Sequence, residues 1–212
     1  MKGYFITFEG PDGSGKTTQI NLLKEYLINK GYDVLVTREP GGTPISEAIR
    51  EIILDAKHKE MNPVTEMLLY AASRAQHVAQ LIKPALAQGK IVLCDRFVDS
   101  SIAYQGIGRN LGIEIVEEIN KVALQGLVPD LTLFFDIDPE IGLKRGMERD
   151  RKADRLELED IEFHRKVYEG FCMLCSRYPN RFKRINAEAD IQEIHHQIIN
   201  ELNNCLGMEN SI

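Results

Sequence analysis

The stretch "ITFEGPDGSGKTTQ" (Ile6–Gln19) sets a short apolar run directly before three glycines, one lysine and two threonines. Gly10, Gly15, Lys16 and Thr17 meet the spacing of a phosphate-binding loop, two glycines with four residues between them and then Lys and Ser or Thr. Such a loop needs a strand before it and a helix after it. Tyr4–Phe8 reads as the strand, and Ile20, Leu23, Leu27 and Ile28 recur at helical spacing behind it, with Gly31 placed to stop the helix. Glycines let successive N–H groups turn inward around an anion, and the helix N-terminus adds partial positive charge. Gly10, Pro11, Asp12, Gly13, Ser14, Gly15, Lys16, Thr17 and Thr18 are therefore expected to wrap the phosphates of ATP, with Lys16 on the β and γ groups and the Thr17 hydroxyl on magnesium.

The same rhythm continues along the chain. Val34–Thr37, Ile91–Cys94, Leu131–Phe135 and Phe182–Ile185 read as further strands alternating with helical patterns, which predicts an α/β fold with a parallel sheet covered by helices. Pro63 to Gly89 reads as one or two helices with a kink or break at Pro84. Arg145 to Asp160, "RGMERDRKADRLELED", is densely charged and is expected to stay out of the core, as a solvated linker or as a mobile lid.

The 212 residues carry 26 Lys and Arg against 32 Asp and Glu, a net charge of -6 that argues against broad adhesion to nucleic acid or an anionic membrane. Any phosphate site is then local. The start of the chain is too short in apolar residues for a signal-peptide core and no later run is long enough to span a bilayer, so a cytoplasmic protein is expected. Cys94, Cys172, Cys175 and Cys205 form no disulfide framework, and "CMLC" lies in a helical pattern without a second metal-ligand pair, so these thiols and the five histidines are read as packing or surface residues.

An ATP loop alone leaves the reaction open. A GTPase needs a guanine-reading Asn-Lys-x-Asp, and "NKGY" and "NKVA" both lack the acid. An ATP-driven switch that binds a macromolecule stays open on the loop by itself.

Beyond the loop, "TREPGGT" (Thr37–Thr43), "LLYAASRAQH" (Leu68–His77), "DRFVDSSIAYQG" (Asp95–Gly106) and "DRLELEDIEFH" (Asp154–His164) resemble the signatures of the thymidylate kinases. The resemblance runs in order from near Lys2 to about Asn186. It implies a P-loop nucleoside monophosphate kinase fold with a five-stranded parallel sheet, one domain over residues 1–212 with a lid at about 146–157, transfer of the ATP γ-phosphate to dTMP, and a homodimer. A kinase for another nucleoside monophosphate is the nearest alternative.

Read singly, the motif residues suit that chemistry. Arg96 follows the third strand at the edge where open α/β sheets place ligands, and its guanidinium can grip the acceptor's phosphate. Asp95 is either a ligand to magnesium-bound water and an orienter of Thr17, or a salt-bridge partner of a neighbouring Arg. Arg38 and Arg50 are further candidates for the acceptor phosphate, with a surface ion pair as the other reading of Arg50. Tyr70 and Arg74 share a helix face, so one can stack on a base while the other reaches its edge, although periodicity alone would put Tyr70 in the core. The resemblance implies that Arg74, Ser101 and Gln105 meet the thymine edge, that Asp12 takes the sugar 3′-hydroxyl, and that Tyr104 closes the 2′ position. Gly13 stands where some family members carry an arginine. "MERDRKADR" supplies Arg149, Arg151 and Arg155 instead, which resembles the version with lid arginines; Arg149 and Arg151 are the catalytic candidates, and Arg155, expected at the start of the next helix, is the anchor.

Overall fold

The computed structural model describes residues 2–147 and 153–207. Five parallel strands, β1 (Tyr4–Glu9), β2 (Val34–Arg38), β3 (Ile91–Asp95), β4 (Leu131–Asp136) and β5 (Phe182–Asn186), form one sheet in the order β2-β3-β1-β4-β5. Each runs one residue beyond its expected end, because the residue added at every carboxyl end still pairs with or follows a partner in the ladder.

The three inner strands are almost wholly buried, as strands covered on both faces must be. Alternation still divides them. Ile6, Phe8, Leu93, Leu133 and Phe135 point toward α1 (Lys16–Asn29) and α9 (Ile191–Leu206), where Leu23, Leu27, Ile198 and Leu202 meet them. On the opposite face Phe5, Val92 and Cys94 pack with Phe97, while Phe134 meets Phe171 of α8 (Ile161–Arg177). The edge strands β2 and β5 carry the polar positions, including Arg38, Lys183 and Arg184, which blunts the open sheet edges.

Helix ends follow local chemistry. Thr43 caps α2 (Pro44–Leu54), Asn62 caps α3 (Pro63–His77), Asp160 caps α8 and Asp190 caps α9, each accepting from a first-turn N–H. By contrast, α1 starts from Gly15 at φ 89° with no side-chain cap. Pro84 produces neither a clean break nor a simple kink. A π-helical turn, Val78–Ile82, joins α3 to α4 (Lys83–Ala87) and widens the helix one turn ahead of the proline, where its ring would otherwise meet a carbonyl. A short α5 (Val98–Ser101) runs into a second π-helical segment, Ile102–Gly108, and α6 (Ile113–Leu124) follows.

The charged segment departs from its expected exposure. Arg155 and Leu156 are buried, Leu156 within the cluster around Phe134 and Phe163, because the Arg155 backbone N–H donates to Leu54 O and its Nε to Ile53 O at the end of α2. Arg155 is not at a helix start either: α8 begins at Ile161. Before it, α7 (Pro139–Met147) leans on the phosphate loop. Cys172 and Cys175 lie on α8, partly buried against the core, and the described residues hold no cluster of three or more metal-ligating side chains.

Candidate active site

Because β1 lies between β3 and β4, its loop opens at the middle of the sheet's carboxyl edge with the β3 loop beside it. Three adjoining chambers converge there.

The phosphate loop forms the floor of the central chamber, about 240 Å³, together with Arg38, Arg50, Asp95 and Arg96. Gly10, Gly13 and Gly15 all have positive φ (133°, 76° and 89°), the backbone conformations that the loop requires. Lys16 is 6% exposed and folds back on the loop, donating to Gly10 O, Pro11 O and Ser14 Oγ at 3.1, 2.8 and 3.4 Å. Burial, and then the Arg96 charge, push its ammonium down to about 8. Thr17 Oγ1 donates to Asp95 Oδ2 at 3.4 Å, which favours the orienting reading of Asp95 over a salt bridge to a neighbour.

Arg96 holds this chamber to the next one. Its backbone is left-handed (φ 66°), its N–H donates to Phe8 O at the end of β1, and Nη2 pairs with Asp12 at 3.0 Å. Glu9, wholly buried, steadies the turn: its carboxylate accepts from the Phe97 N–H and the Ser100 hydroxyl. Burial and the nearby Asp99 raise Glu9 to about 8. Arg38 forms a two-oxygen pair with Glu47, whose Oε1 also takes the Gly42 N–H. Among the described residues Arg50 is in no ion pair; it donates to Pro40 O at 2.8 Å, and burial with Arg38 nearby holds it below its ordinary value.

The second chamber, also about 240 Å³, shares Asp12, Glu39, Arg50 and Arg96 with the first. Tyr70, Arg74, Ser101, Tyr104 and Gln105 all line it, so the candidates scattered over α3 and the segment after β3 meet here. Tyr70 lines this chamber and also packs against the core cluster around Phe134, and burial raises its phenol, as it does that of Tyr104. Tyr104 is wedged edge-on against Phe163 and Phe171 under the Arg96 guanidinium.

Arg74 is more committed than its sequence context suggested. At 1% exposure it donates from Nε to Glu39, from Nη1 to Asn120 and from Nη2 to Phe97 O and Ser101 Oγ. Four of its five N–H groups are thus used, and Glu39 is held in turn by His77, whose other nitrogen meets Thr37. Glu39 and Asn120 carried no local signal, since neither a lone acid nor a helix asparagine announces a buried partner.

The third chamber, about 650 Å³, lies on the far side of the loop, lined by Gly13, Ser14, Gly15 and Thr18 together with Arg145 of α7, Ala187, Ala189 and Asp190 of the β5–α9 connection, and Ile191 and Gln192 at the start of α9. None of those last residues stood out in the sequence. The absence of an arginine at position 13 has a steric cause here: a Cβ on Gly13 would lie 2.0 Å from Gly142 O and 2.9 Å from Gly146 N of α7. Arg149 and Arg151 lie outside the described residues.

Comparison with known proteins points to one family. The family model for thymidylate kinase matches residues 8–198. A thymidylate kinase of Lactobacillus acidophilus is 55% identical over 204 residues, 95% of this chain and 94% of the relative. One from Thermoanaerobacter sp. is 54% identical over 199 residues, covering 94% and 97%. The crystal structure of thymidylate kinase from Ehrlichia chaffeensis superposes with a TM-score of 0.79 at 36% identity, covering 96% of this chain and 99% of that one. With the phosphate loop, the arginine after β3 and the second chamber in one continuous cleft, the chain belongs to the thymidylate kinase family.

Proposed function

We propose that this protein transfers the γ-phosphate of ATP to dTMP, yielding dTDP for DNA precursor synthesis, with the third chamber taking the adenine side of ATP, the central one the reacting phosphates and the second one dTMP. The observation that supports this most directly is the continuity of the last two through Arg96 and Asp12, which puts one guanidinium against both phosphate groups. Transfer is in line and direct, since the site's cations need only position two anions and absorb the charge that develops between them.

In this reading Lys16 swings from the loop carbonyls onto the β and γ phosphates, Arg96 with Arg38 and Arg50 holds the dTMP phosphate, and Asp12 takes the 3′-hydroxyl. Tyr70 stacks on the base, the remaining Arg74 N–H reaches O4, and Ser101 and Gln105 complete the edge. Tyr104, immobilised by its aromatic neighbours, fills the space a 2′-hydroxyl would need. Thr17 and Asp95 present hard oxygens that fit magnesium, which when bound neutralises charge on the donor phosphates. Arg149 and Arg151, in a lid at about 146–157 of a single domain, supply the further cation that the neutral Gly13 does not.

A homodimer is supported by one apolar surface. Ile45 and Ile52 of α2, Val64 and Leu68 of α3, and Ile115 and Val122 of α6 are 44–81% exposed on helices that pack side by side. The protein's substrates are small molecules, and with a net charge of -6 it acts in the cytoplasm without a nucleic-acid or membrane partner. No helix of the described residues is long and apolar enough to cross a membrane.

The test is ADP formation across a panel of nucleoside monophosphates. dTMP should be the best acceptor, dUMP weaker and dCMP poor; equal use of dCMP or AMP would refute the base pocket, and ADP formation independent of any monophosphate would favour the switch.

A further inference from the structure

Glu66 of α3 has no exposed surface and sits one turn before Tyr70. It is the meeting point of three elements. Its Oε1 accepts from Gln105 Nε2 at 2.8 Å and Arg109 Nε at 3.3 Å, and its Oε2 meets Arg109 Nη2 at 3.1 Å and Arg155 Nη2 at 2.7 Å. A carboxylate between two guanidiniums is an acceptor on both oxygens and has no hydrogen to give.

That fact constrains Gln105. A glutamine amide can present either its oxygen or its NH₂, and the two differ only by a half-turn of the terminal group. Turned the other way, Gln105 would set its oxygen against Glu66 Oε1, two acceptors in contact in a place without solvent. With the NH₂ committed to Glu66, Oε1 is the end left over, and it is buried without a hydrogen-bond partner among the described residues although Gln105 lines the acceptor chamber. An unpaired buried acceptor is costly, and a ligand N–H relieves it.

We propose that Glu66 is a positioning residue for base selection: by holding the Gln105 NH₂ it makes the chamber offer an acceptor, which suits the N3–H of thymine and opposes the unprotonated N3 of cytosine. The inference rests on reading that chamber as the dTMP site. It differs from the role of Arg74, which concerns the exocyclic group at position 4. Glu66 also ties down Arg155, and Arg109 reaches Glu159, so the same carboxylate holds the foot of the charged segment. A variant can therefore act through the base or through that foot, and the experiment has to separate them.

The experiment is a cycle of Glu66→Gln and Gln105→Ala, read as the ratio of kcat/KM for dTMP to that for dCMP, with thermal unfolding of each protein. A glutamine at 66 can donate as well as accept, so the Gln105 amide is free to turn. Glu66→Gln should lower the ratio by about tenfold, the effect of one misplaced hydrogen bond, chiefly through the KM for dTMP. In the Gln105→Ala background it should leave the ratio within about twofold, even where loosening of the Arg155 foot lowers kcat for both acceptors. If Gln105→Ala leaves the ratio at its native value, the reading of the chamber is wrong and the inference goes with it. If Gln105→Ala lowers the ratio and Glu66→Gln does not, the chamber reading stands and Glu66 has no part in selection. An equal loss in both backgrounds would also overturn the inference. Should Glu66→Gln not fold, the side-chain NH₂ resonances of Gln105 in the unaltered protein give the answer. They should exchange slowly with and without dTMP; rapid exchange that becomes slow only on adding dTMP would mean that the NH₂, not the oxygen, faces the base.

Discussion

Lys16 and Arg74 both show how a functional side chain is held before its ligand arrives. In the free protein Lys16 spends its donors on Gly10 O, Pro11 O and Ser14 Oγ, and burial depresses its ammonium to about 8 from an ordinary 10.5. Phosphates brought against it favour the charged form and raise it again. Nucleotide binding should therefore take up a proton where the free lysine has lost one: approaching one proton at about pH 9 and falling toward none at about pH 7. Calorimetry of ADP binding in EDTA, in two buffers of different ionisation enthalpy, measures this, and an uptake that does not rise with pH would contradict it. Lys16→Ala should lose the uptake and all detectable transfer. Arg74→Ala is expected to do two things at once. It should cut dTMP efficiency with little change in ATP affinity, and it should destabilise the fold by about 3–5 kcal/mol, because Glu39 is left buried with one partner fewer. Urea unfolding beside steady-state kinetics separates the two; a native midpoint would show that His77 and solvent suffice for Glu39.

Among the elements, α1 and α7 matter most for the chemistry. α1, like α6 at Gly112, begins at a glycine with no side-chain cap, but only α1 opens on the central chamber, at Gly15, Lys16 and Thr17, where its first N–H groups suit an anion. α7 presses Gly142 and Gly146 so closely on the loop that residue 13 has no room for a side chain, and the cation that would stand there has to come from further along the chain. Arg149 and Arg151 follow α7 directly in sequence. Replacing the responsible one by Ala should lower turnover by orders of magnitude with a much smaller change in dTMP binding by calorimetry, the pattern of an interaction made mainly in the transition state. Near-native turnover in both Arg149→Ala and Arg151→Ala would return the segment to a solvated linker. Arg155 belongs with the structure rather than the chemistry: its hydrogen bond to Ile53 O and its ion pair with Glu66 fasten the segment's far end beneath α2 and α3.

For the assembled protein, the exposed apolar residues of α2, α3 and α6 should be covered by a second copy. Sedimentation velocity should give a dimer at micromolar concentration, and Leu68→Glu, a charge placed on the face of α3 at 47% exposure, should give monomers that keep their fold. A monomeric native protein would remove the homodimer. α3 carries Leu68 on its outer side and Glu66, Tyr70 and Arg74 on the side of the acceptor chamber, so loss of the dimer is also expected to weaken dTMP binding.

The sequence by itself determined the phosphate loop, the five strands to within a residue, and the α/β class, because glycine conformations and hydrophobic periodicity act over a few neighbouring residues. Tyr70, Arg74, Ser101, Tyr104 and Gln105 are named by the resemblance to the thymidylate kinases and not by periodicity, and the fold gathers them around one chamber. Tertiary structure alone decided the strand order, the burial of Arg155 and Leu156 in a stretch that reads as solvated, and the chamber walled by Ala187, Ala189, Asp190, Ile191 and Gln192. It also decided the fates of Glu9, Glu39 and Glu66. A charged side chain is tolerated inside only when partners arrive to meet it, and here they come from far along the chain: Arg74 for Glu39, Arg109 and Arg155 for Glu66; Glu9, met by the neutral Ser100 and Phe97, is instead shifted toward its uncharged form. No local pattern encodes such meetings, because the energy that permits the burial belongs to the pair and not to either residue.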